Sequence, residues 1–320
     1  MSLEKKVTPI LDSQTLDVSE FDDVEIYKGT IDGEGKKPEQ QRCFGGAWYH
    51  KVESSRDQWL GIEGTITLGE FNPDDKRFGL DKYNRYMDNP SVYMGGHADF
   101  ESDAGLGMNT GFSDPSFKEN LDQNSPKVAW RPFWRYIYSD VKDDDGNVVR
   151  RNFNSWNISD PRNFNYYYLP GDTITMKVYS PAPNYLQLRI EVVKPTTIEK
   201  YVKQRSAYGI DTPKTFYSPI FHSQSQGTNK PAVFKRVNSI DQYGNEGGVA
   251  KKTDAFVSKA SWHNVYLYRK IDGKLYKVPF TEKRYAMMNC PFEDAYNVSY
   301  EGVNKEDGGE NISIHPNQVK

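Results

Sequence analysis

The stretch that decides the fold is Asp172-Thr-Ile-Thr-Met-Lys-Val-Tyr-Ser-Pro-Ala-Pro-Asn-Tyr-Leu-Gln-Leu-Arg-Ile-Glu-Val-Val193. Ile174, Met176 and Val178 alternate with Thr173, Thr175, Lys177 and Tyr179. After the turn Ser180-Pro-Ala-Pro-Asn184, Leu186, Leu188, Ile190 and Val192 alternate with Gln187, Arg189 and Glu191. Side chains on a strand point alternately to opposite faces, so this is a hairpin with one face on an apolar core. Working outward, Val265 to Ile271 and Lys274 to Phe280 flank Asp272-Gly273, a strong hairpin signal. A third hairpin joins Trp130 to Val141 with Val148 to Phe153 across Asp143-Asp-Asp-Gly-Asn147. That acidic turn lacks the Gly and distal Glu placement of a calcium-binding EF-hand and reads as solvated.

Further strands fit Val24 to Lys28, Gly45 to Val52, Trp59 to Leu68, Val92 to Asp103, Leu106 to Phe112, Pro231 to Ile240 and Ala255 to Lys259. Helical spacing is confined to Thr197 to Arg205, too short to organise a domain. So many antiparallel strands without crossover helices must pack face to face. The expected fold is all-β, a two-sheet antiparallel jelly-roll sandwich. It spans residues 24–300 as one domain with an insertion at 196–230, between polar tails at 1–23 and 301–320.

The 320 residues carry 44 acidic and 41 basic side chains, a net charge of −3. This balance lacks the basic footprint of nucleic-acid binding, and no apolar run is long enough to span a membrane. Two cysteines cannot build a multi-bridge scaffold or a four-ligand zinc site. Cys43 and Cys290 read as buried thiols or as one bridge near the two ends of the fold. No apolar leader precedes residue 23.

Three segments, Tyr166-Tyr-Tyr-Leu-Pro-Gly-Asp172 leading into its strand, Asn184 to Glu191, and Gly95-Gly-His-Ala-Asp-Phe-Glu-Ser-Asp103, resemble the concanavalin A-like lectin and glucanase superfamily. The resemblance covers residues 24–300 and implies a concave sheet face that binds glycan and in some relatives cleaves it. It also implies a fold that acts outside the cell, so a secreted or cell-surface location is expected. Laminarinase-type members carry a Glu-x-Asp-x-x-Glu strand motif, to which Asp99-Phe-Glu101-Ser-Asp103 is similar with the acid types exchanged.

Read from the residues, Asp99, Glu101 and Asp103 lie two apart on an expected strand and share a face. Mutual repulsion would raise one pKa, giving an acid beside an ionised partner. Adjacent members match the carboxylate spacing of glycosidases, and His97 faces the same side as a partner base for Asp99. The same oxygens also suit a solvated face or a calcium ion, the one cofactor that the sequence admits. Aromatic side chains offer a sugar platform. Trp130, Trp134, Tyr136 and Tyr138 share one face of a strand, and Trp262, Asn264, Tyr266 and Tyr268 one face of another. Asp241, Gln242, Asn245 and Glu246, in a glycine-rich segment, could bind sugar hydroxyls or calcium. The expected function is therefore glycan binding, with a polysaccharide or oligosaccharide as partner. The alternatives are a polysaccharide hydrolase or lyase using the carboxylates, and a non-enzymatic surface interaction protein.

Overall fold

The computed structural model describes residues 18–39, 42–77, 87–109, 129–142, 144, 148–157, 163–242 and 244–319. Its strands are β1 (Ala47–Ser54), β2 (Trp59–Thr67), β3 (Phe71–Asn72), β4 (Asp88–His97), β5 (Glu101–Asn109), β6 (Ala129–Lys142), β7 (Val148–Asn157), β8 (Thr173–Tyr179) and β9 (Tyr185–Lys194). Helix α1 (Glu199–Ala207) follows, then β10 (Phe216–Tyr217), β11 (Phe221–His222), β12 (Val233–Gln242), β13 (Phe256–Ile271), β14 (Lys274–Pro279), β15 (Tyr285–Cys290), β16 (Tyr296–Ser299) and β17 (Glu310–Ile314). Among the described residues these form two antiparallel sheets. One has seven strands in the order β15-β1-β12-β4-β5-β6-β7. The other has ten, running β10-β9-β8-β2-β13-β17-β16, with β11 beside β9 and both β3 and β14 beside β13. Among the described residues no helix is long and apolar enough to cross a membrane.

The deciding hairpin forms as its alternation requires. Ile174, Met176 and Val178 of β8 pair with Val192, Ile190 and Leu188 of β9, and Asn184 in its turn takes a left-handed backbone, φ 70°, which asparagine tolerates better than most residues. The inner faces of the two sheets meet in one core. Trp48, Val92, Met94, Leu106, Trp130 and Phe234 come from the seven-stranded sheet, and Ile62, Ile66, Met176, Leu188, Val265 and Leu267 from the other. The fold expected from sequence, an all-β sandwich of two antiparallel sheets, is the fold observed.

Several expected boundaries differ. The strand expected from Val92 to Asp103 is broken, because the chain reverses at 98–100 and His97 pairs with Glu101 across a tight turn. The strands expected at Ala255–Lys259 and from Val265 are one, β13, bent by register shifts between Val257 and Ala260, Trp262 and Asn264, and Tyr268 and Arg269. Bulges of this kind let a long strand serve a curved sheet. The polar tail expected at 301–320 instead carries β17, whose Glu310, Ile312 and Ile314 are buried. The interior apolar positions of this short strand are diluted by flanking charges and so read as tail. At the other end, residues expected to belong to a tail and a strand form a strap. Phe21 packs tilted on Tyr179 at 4.6 Å and edge-to-face on Tyr268 at 5.3 Å, and Ile26 makes a single parallel bridge to Lys277. The polar loop expected from Ser113 to Pro126 and most of the acidic turn at 143–147 lie outside the described residues.

Cys43 and Cys290 are bridged, with Cα atoms 5.6 Å apart across a sequence separation of 247. Of the two expectations for these cysteines, the thiol reading is thereby excluded. A closed loop this long restricts the unfolded chain strongly, and its loss by Cys43→Ser is expected to cost up to about 5 kcal/mol. Urea midpoints of the oxidised protein and the variant measure this. An unchanged midpoint would show that the bond adds nothing to stability.

Candidate functional site

Alternation on the seven-stranded sheet sends one residue set into the core and the other onto the outer face. On β12, Phe234, Arg236, Asn238 and Ile240 are interior, so Lys235, Val237, Ser239 and Asp241 face outward. By register, Ser91, Tyr93 and Gly95 of β4 lie beside them, followed by Gly107, Gly105 and Asp103 of β5 and then Arg131, Phe133 and Arg135 of β6. Charge thus collects on one face of the sheet, where Ser91, Asp103, Lys235 and Ser239 are themselves buried.

Asp103 is fully buried and holds two cations. Arg135 donates from Nε to its Oδ2 at 2.7 Å, and Lys235 lies 2.8 Å from its Oδ1 while also bonding Glu101. Burial works against the Arg135 charge, but Asp103, Tyr93 and Asp241 keep the guanidinium protonated. Asp241 is set apart from that cluster. Its Oδ2 accepts from the Ser91 and Ser239 hydroxyls at 2.7 and 3.1 Å, and those hydroxyls lie 2.6 Å from each other. Burial raises the Asp241 pKa above the ordinary aspartate value, although the Ser91 bond and the Arg135 charge pull the other way. Between the two groups stands Tyr93. Burial, then the charges of Asp103 and Asp241, push its phenol well above the ordinary range, so it remains a neutral hydrogen-bond donor. Lys235 lies 5.4 Å from the centre of its ring, and Phe133 packs edge-on at 5.9 Å.

The residues picked from sequence divide sharply. Asp99 does not share a strand face with Glu101 and Asp103, since it occupies the turn between β4 and β5. There its carboxylate bonds Lys230, which chiefly lowers its pKa, and Ser225. His97, at the end of β4, lowers it further. Glu101 and Asp103 do face the same way, but the lysine shared between them replaces the repulsion expected of the trio.

The aromatic platform does not form. Trp130 and Trp262 have no exposed surface, Trp134 is 8% exposed and Tyr266 6%. The indole of Trp130 donates to the Gly69 carbonyl at 3.3 Å, and that of Trp262 to Asn238 Oδ1 at 2.9 Å. Trp134 packs on Phe216 at 5.8 Å. Tyr266 carries Lys277 over its ring at 5.3 Å, and burial pushes its phenol up to about 12. The shift between Ile137 and Ser139 separates Tyr138, which is exposed, from the tryptophans of its strand. Gln242 is a buried tie, donating to Asp88 Oδ1 at 3.1 Å and to the Lys251 carbonyl at 2.7 Å. Asn245 closes the same loop through Gln242 and Val249 at 3.1 and 2.9 Å, and Glu246 is exposed on it. Of that segment only Asp241 joins the outer-face cluster. Among the described residues no group of three or more His, Cys, Asp or Glu side chains is arranged to hold a metal such as calcium.

Tyr93, Ser91, Lys235, Ser239 and Arg135 were missed by sequence reasoning. The available signal was the polar alternation opposite the apolar positions of β4 and β12.

No family model and no curated protein matches the chain. Solved structures similar to it are those of scytalidoglutamic peptidase bound to a transition-state analogue inhibitor and of SCP-B, a member of the eqolisin family of peptidases, bound to the tripeptide Ala-Ile-His. For the first, identity is 9% over 85% of this chain and 100% of that one, with TM-score 0.45. For the second, identity is 9% over 84% and 98%, with TM-score 0.40. These structures are peptidases rather than lectins or glucanases. The burial of Trp130, Trp134, Trp262 and Tyr266 in the sandwich overturns the expectation of a glycan-binding protein, and the pairing of Asp99 with Lys230 and of Glu101 and Asp103 with Lys235 removes the carboxylate arrangement on which its polysaccharide-cleaving alternative rested.

Proposed function

We propose that the outer face of the seven-stranded sheet is a hydrolytic site of the acyl-transfer type, with Asp241 as its acid and base. The observation that carries this reading is the Asp241 carboxylate, held by the Ser91 and Ser239 hydroxyls and raised in pKa by burial, on the same sheet face as the Tyr93 phenol and the Arg135 guanidinium. Attack on an amide or ester builds a negative oxygen, which the Tyr93 phenol would meet as a hydrogen-bond donor; Arg135 and Lys235 are already paired with Asp103 and Glu101 and add no net positive charge. In the proposed reaction Asp241 takes a proton from water as that water attacks the carbonyl carbon. Tyr93 donates a hydrogen bond to the developing oxyanion, and Asp241 returns the proton to the leaving nitrogen or oxygen. Ser91 and Ser239 orient the carboxyl, and Asp103 holds Arg135 and Lys235 in place. The Cys43–Cys290 bridge supports action outside the cell, because such bonds persist in oxidising surroundings.

The test is release of new amino termini from casein and synthetic peptides between pH 3 and 7. Asp241→Asn is expected to lower kcat by about 10²-fold or more, and Tyr93→Phe by about 10²-fold as the loss of one oxyanion donor. Ser91→Ala removes a bond that favours the ionised carboxyl, so the pH limb due to Asp241 should move upward. A purely structural serine would leave that limb in place. Equal turnover by the protein and Asp241→Asn, or none by either, would overturn the assignment.

A further inference from the structure

On the proposed catalytic face one outward position is bare. Gly107 of β5 lies between Ser91 of β4 and Arg131 of β6. Among the described residues, a β-carbon built there meets one atom within 4 Å, Cδ1 of Phe133, at 3.7 Å. The other two outward glycines differ. At Gly105 the same atom would strike Tyr93 Cα at 2.5 Å, and at Gly95 it would strike the Ser102 carbonyl at 2.0 Å. Those two glycines are required by close packing, whereas at Gly107 the described residues leave room for a side chain. Its φ does not lie in the left-handed region, so the backbone does not demand glycine.

The surroundings of the gap define what fits. Phe133 and Tyr93 provide ring edges on one side, and the Arg131 stem and Tyr167 ring, 5.1 Å from its guanidinium carbon, follow on β6 and behind it. Ser91, directly opposite Gly107, bonds Asp241. We infer that Gly107 is the floor of a specificity subsite that seats an aromatic side chain of a peptide substrate next to the Asp241 carboxyl. The inference rests on the acyl-hydrolase reading of that face. Flat rings suit the site because they gain edge and stacking contacts with Phe133 and Tyr93, while an alanine would leave the gap unfilled.

The experiment separates the subsite from the chemistry by using the Asp241→Asn protein, which retains the face and whose turnover is expected to be lower by about 10²-fold or more. Fluorescein-labelled Ala-Ala-Phe-Ala-Ala and Ala-Ala-Ala-Ala-Ala are titrated in parallel by anisotropy. At least a tenfold tighter Kd for the phenylalanine peptide is expected. Adding Gly107→Leu, which fills the gap from within, should abolish the preference. Gly107→Ala, whose methyl group has room, should fold normally and reduce it partly. Equal binding of the two peptides, binding of neither, or a preference that survives Gly107→Leu would overturn the subsite. Cleavage by the unsubstituted protein without aromatic preference would also sink the subsite but leave the hydrolytic reading standing. Preference without cleavage would do the reverse.

Discussion

Asp172→Ala is expected to destabilise the protein by about 3–5 kcal/mol, since it strips the partner from a buried arginine. Arg205 of α1 donates to both carboxylate oxygens of Asp172, at 3.0 and 2.5 Å, with neither side chain more than 5% exposed. The same carboxylate accepts the backbone N–H groups of Leu169 and Thr196 at 2.8 and 2.7 Å. It therefore ties three segments together: the Tyr167-to-Leu169 approach to β8, the turn after β9, and the helix. Around it Tyr167, Leu169, Tyr201 and Tyr208 form a separate apolar cluster with Ala129 of β6. Gly171 completes the junction. Its φ is +84°, and a β-carbon there would lie 2.4 Å from Thr196 Oγ1. Urea unfolding of Asp172→Ala, Arg205→Met and the double variant would measure the coupling. Arg205→Met should cost less than Asp172→Ala, because the carboxylate it strands still accepts the Leu169 and Thr196 N–H bonds. Losses below about 1 kcal/mol in both single variants would show that the helix docks by its aromatic contacts alone.

That junction also shows what was legible in the sequence. The alternation from Thr173 to Val192 and the Pro-Gly-Asp before it sufficed to place β8, β9 and their core face. Asp272-Gly273 fixed the β13–β14 turn, where φ is positive at both residues. Period-two patterning states that two faces differ, but not which of them looks at another sheet. On β6 one set is aromatic and the other carries Arg131, Phe133 and Arg135, and the aromatic set went inward to fill a wide sandwich. The indole N–H groups that suggested a ligand are satisfied by Gly69 and Asn238. The acidic trio failed for a different reason. A three-residue reversal at 98–100 has no proline and no glycine to mark it, so Asp99 was carried along the strand in error. The outer-face site is assembled by pairing four strands that are scattered from residue 91 to residue 241. Such a neighbourhood is set by sheet order, which single-strand patterns do not encode.

Glu310→Gln should be as damaging as the loss of Asp172, and its pH dependence makes it the more informative change. Glu310 of β17 crosses the sandwich to the seven-stranded sheet, where Arg236 Nη1 donates to its Oε1 at 2.6 Å and His50 Nε2 lies 2.5 Å from the same atom. All three side chains are essentially without solvent. Burial alone would raise the carboxyl pKa, but the charge of Arg236 and the bonds from both partners outweigh it and hold the value far below the ordinary range. A carboxylate whose pKa is depressed on folding contributes stability above its unfolded value of about 4.3. The contribution fades only as pH falls below that value toward the folded one. At neutral pH the variant should lose about 3–5 kcal/mol, because Arg236 is left buried without its countercharge. Below pH 4 the difference should shrink, since the unfolded chain of the unsubstituted protein then takes up a proton that the folded carboxylate refuses. Urea midpoints at pH 7, 5 and 3 measure the trend, and a gap that stays constant down to pH 3 would show that folding does not depress the Glu310 pKa. A gap that widened on acidification would reverse the sign and remove Glu310 as an anionic clamp. The placement matters for the proposed chemistry. Above the folded pKa of Glu310, Arg236 and His50 stay joined to β17 at mildly acid pH, under conditions in which Asp241 would take up and release its proton on the opposite face of the same sheet.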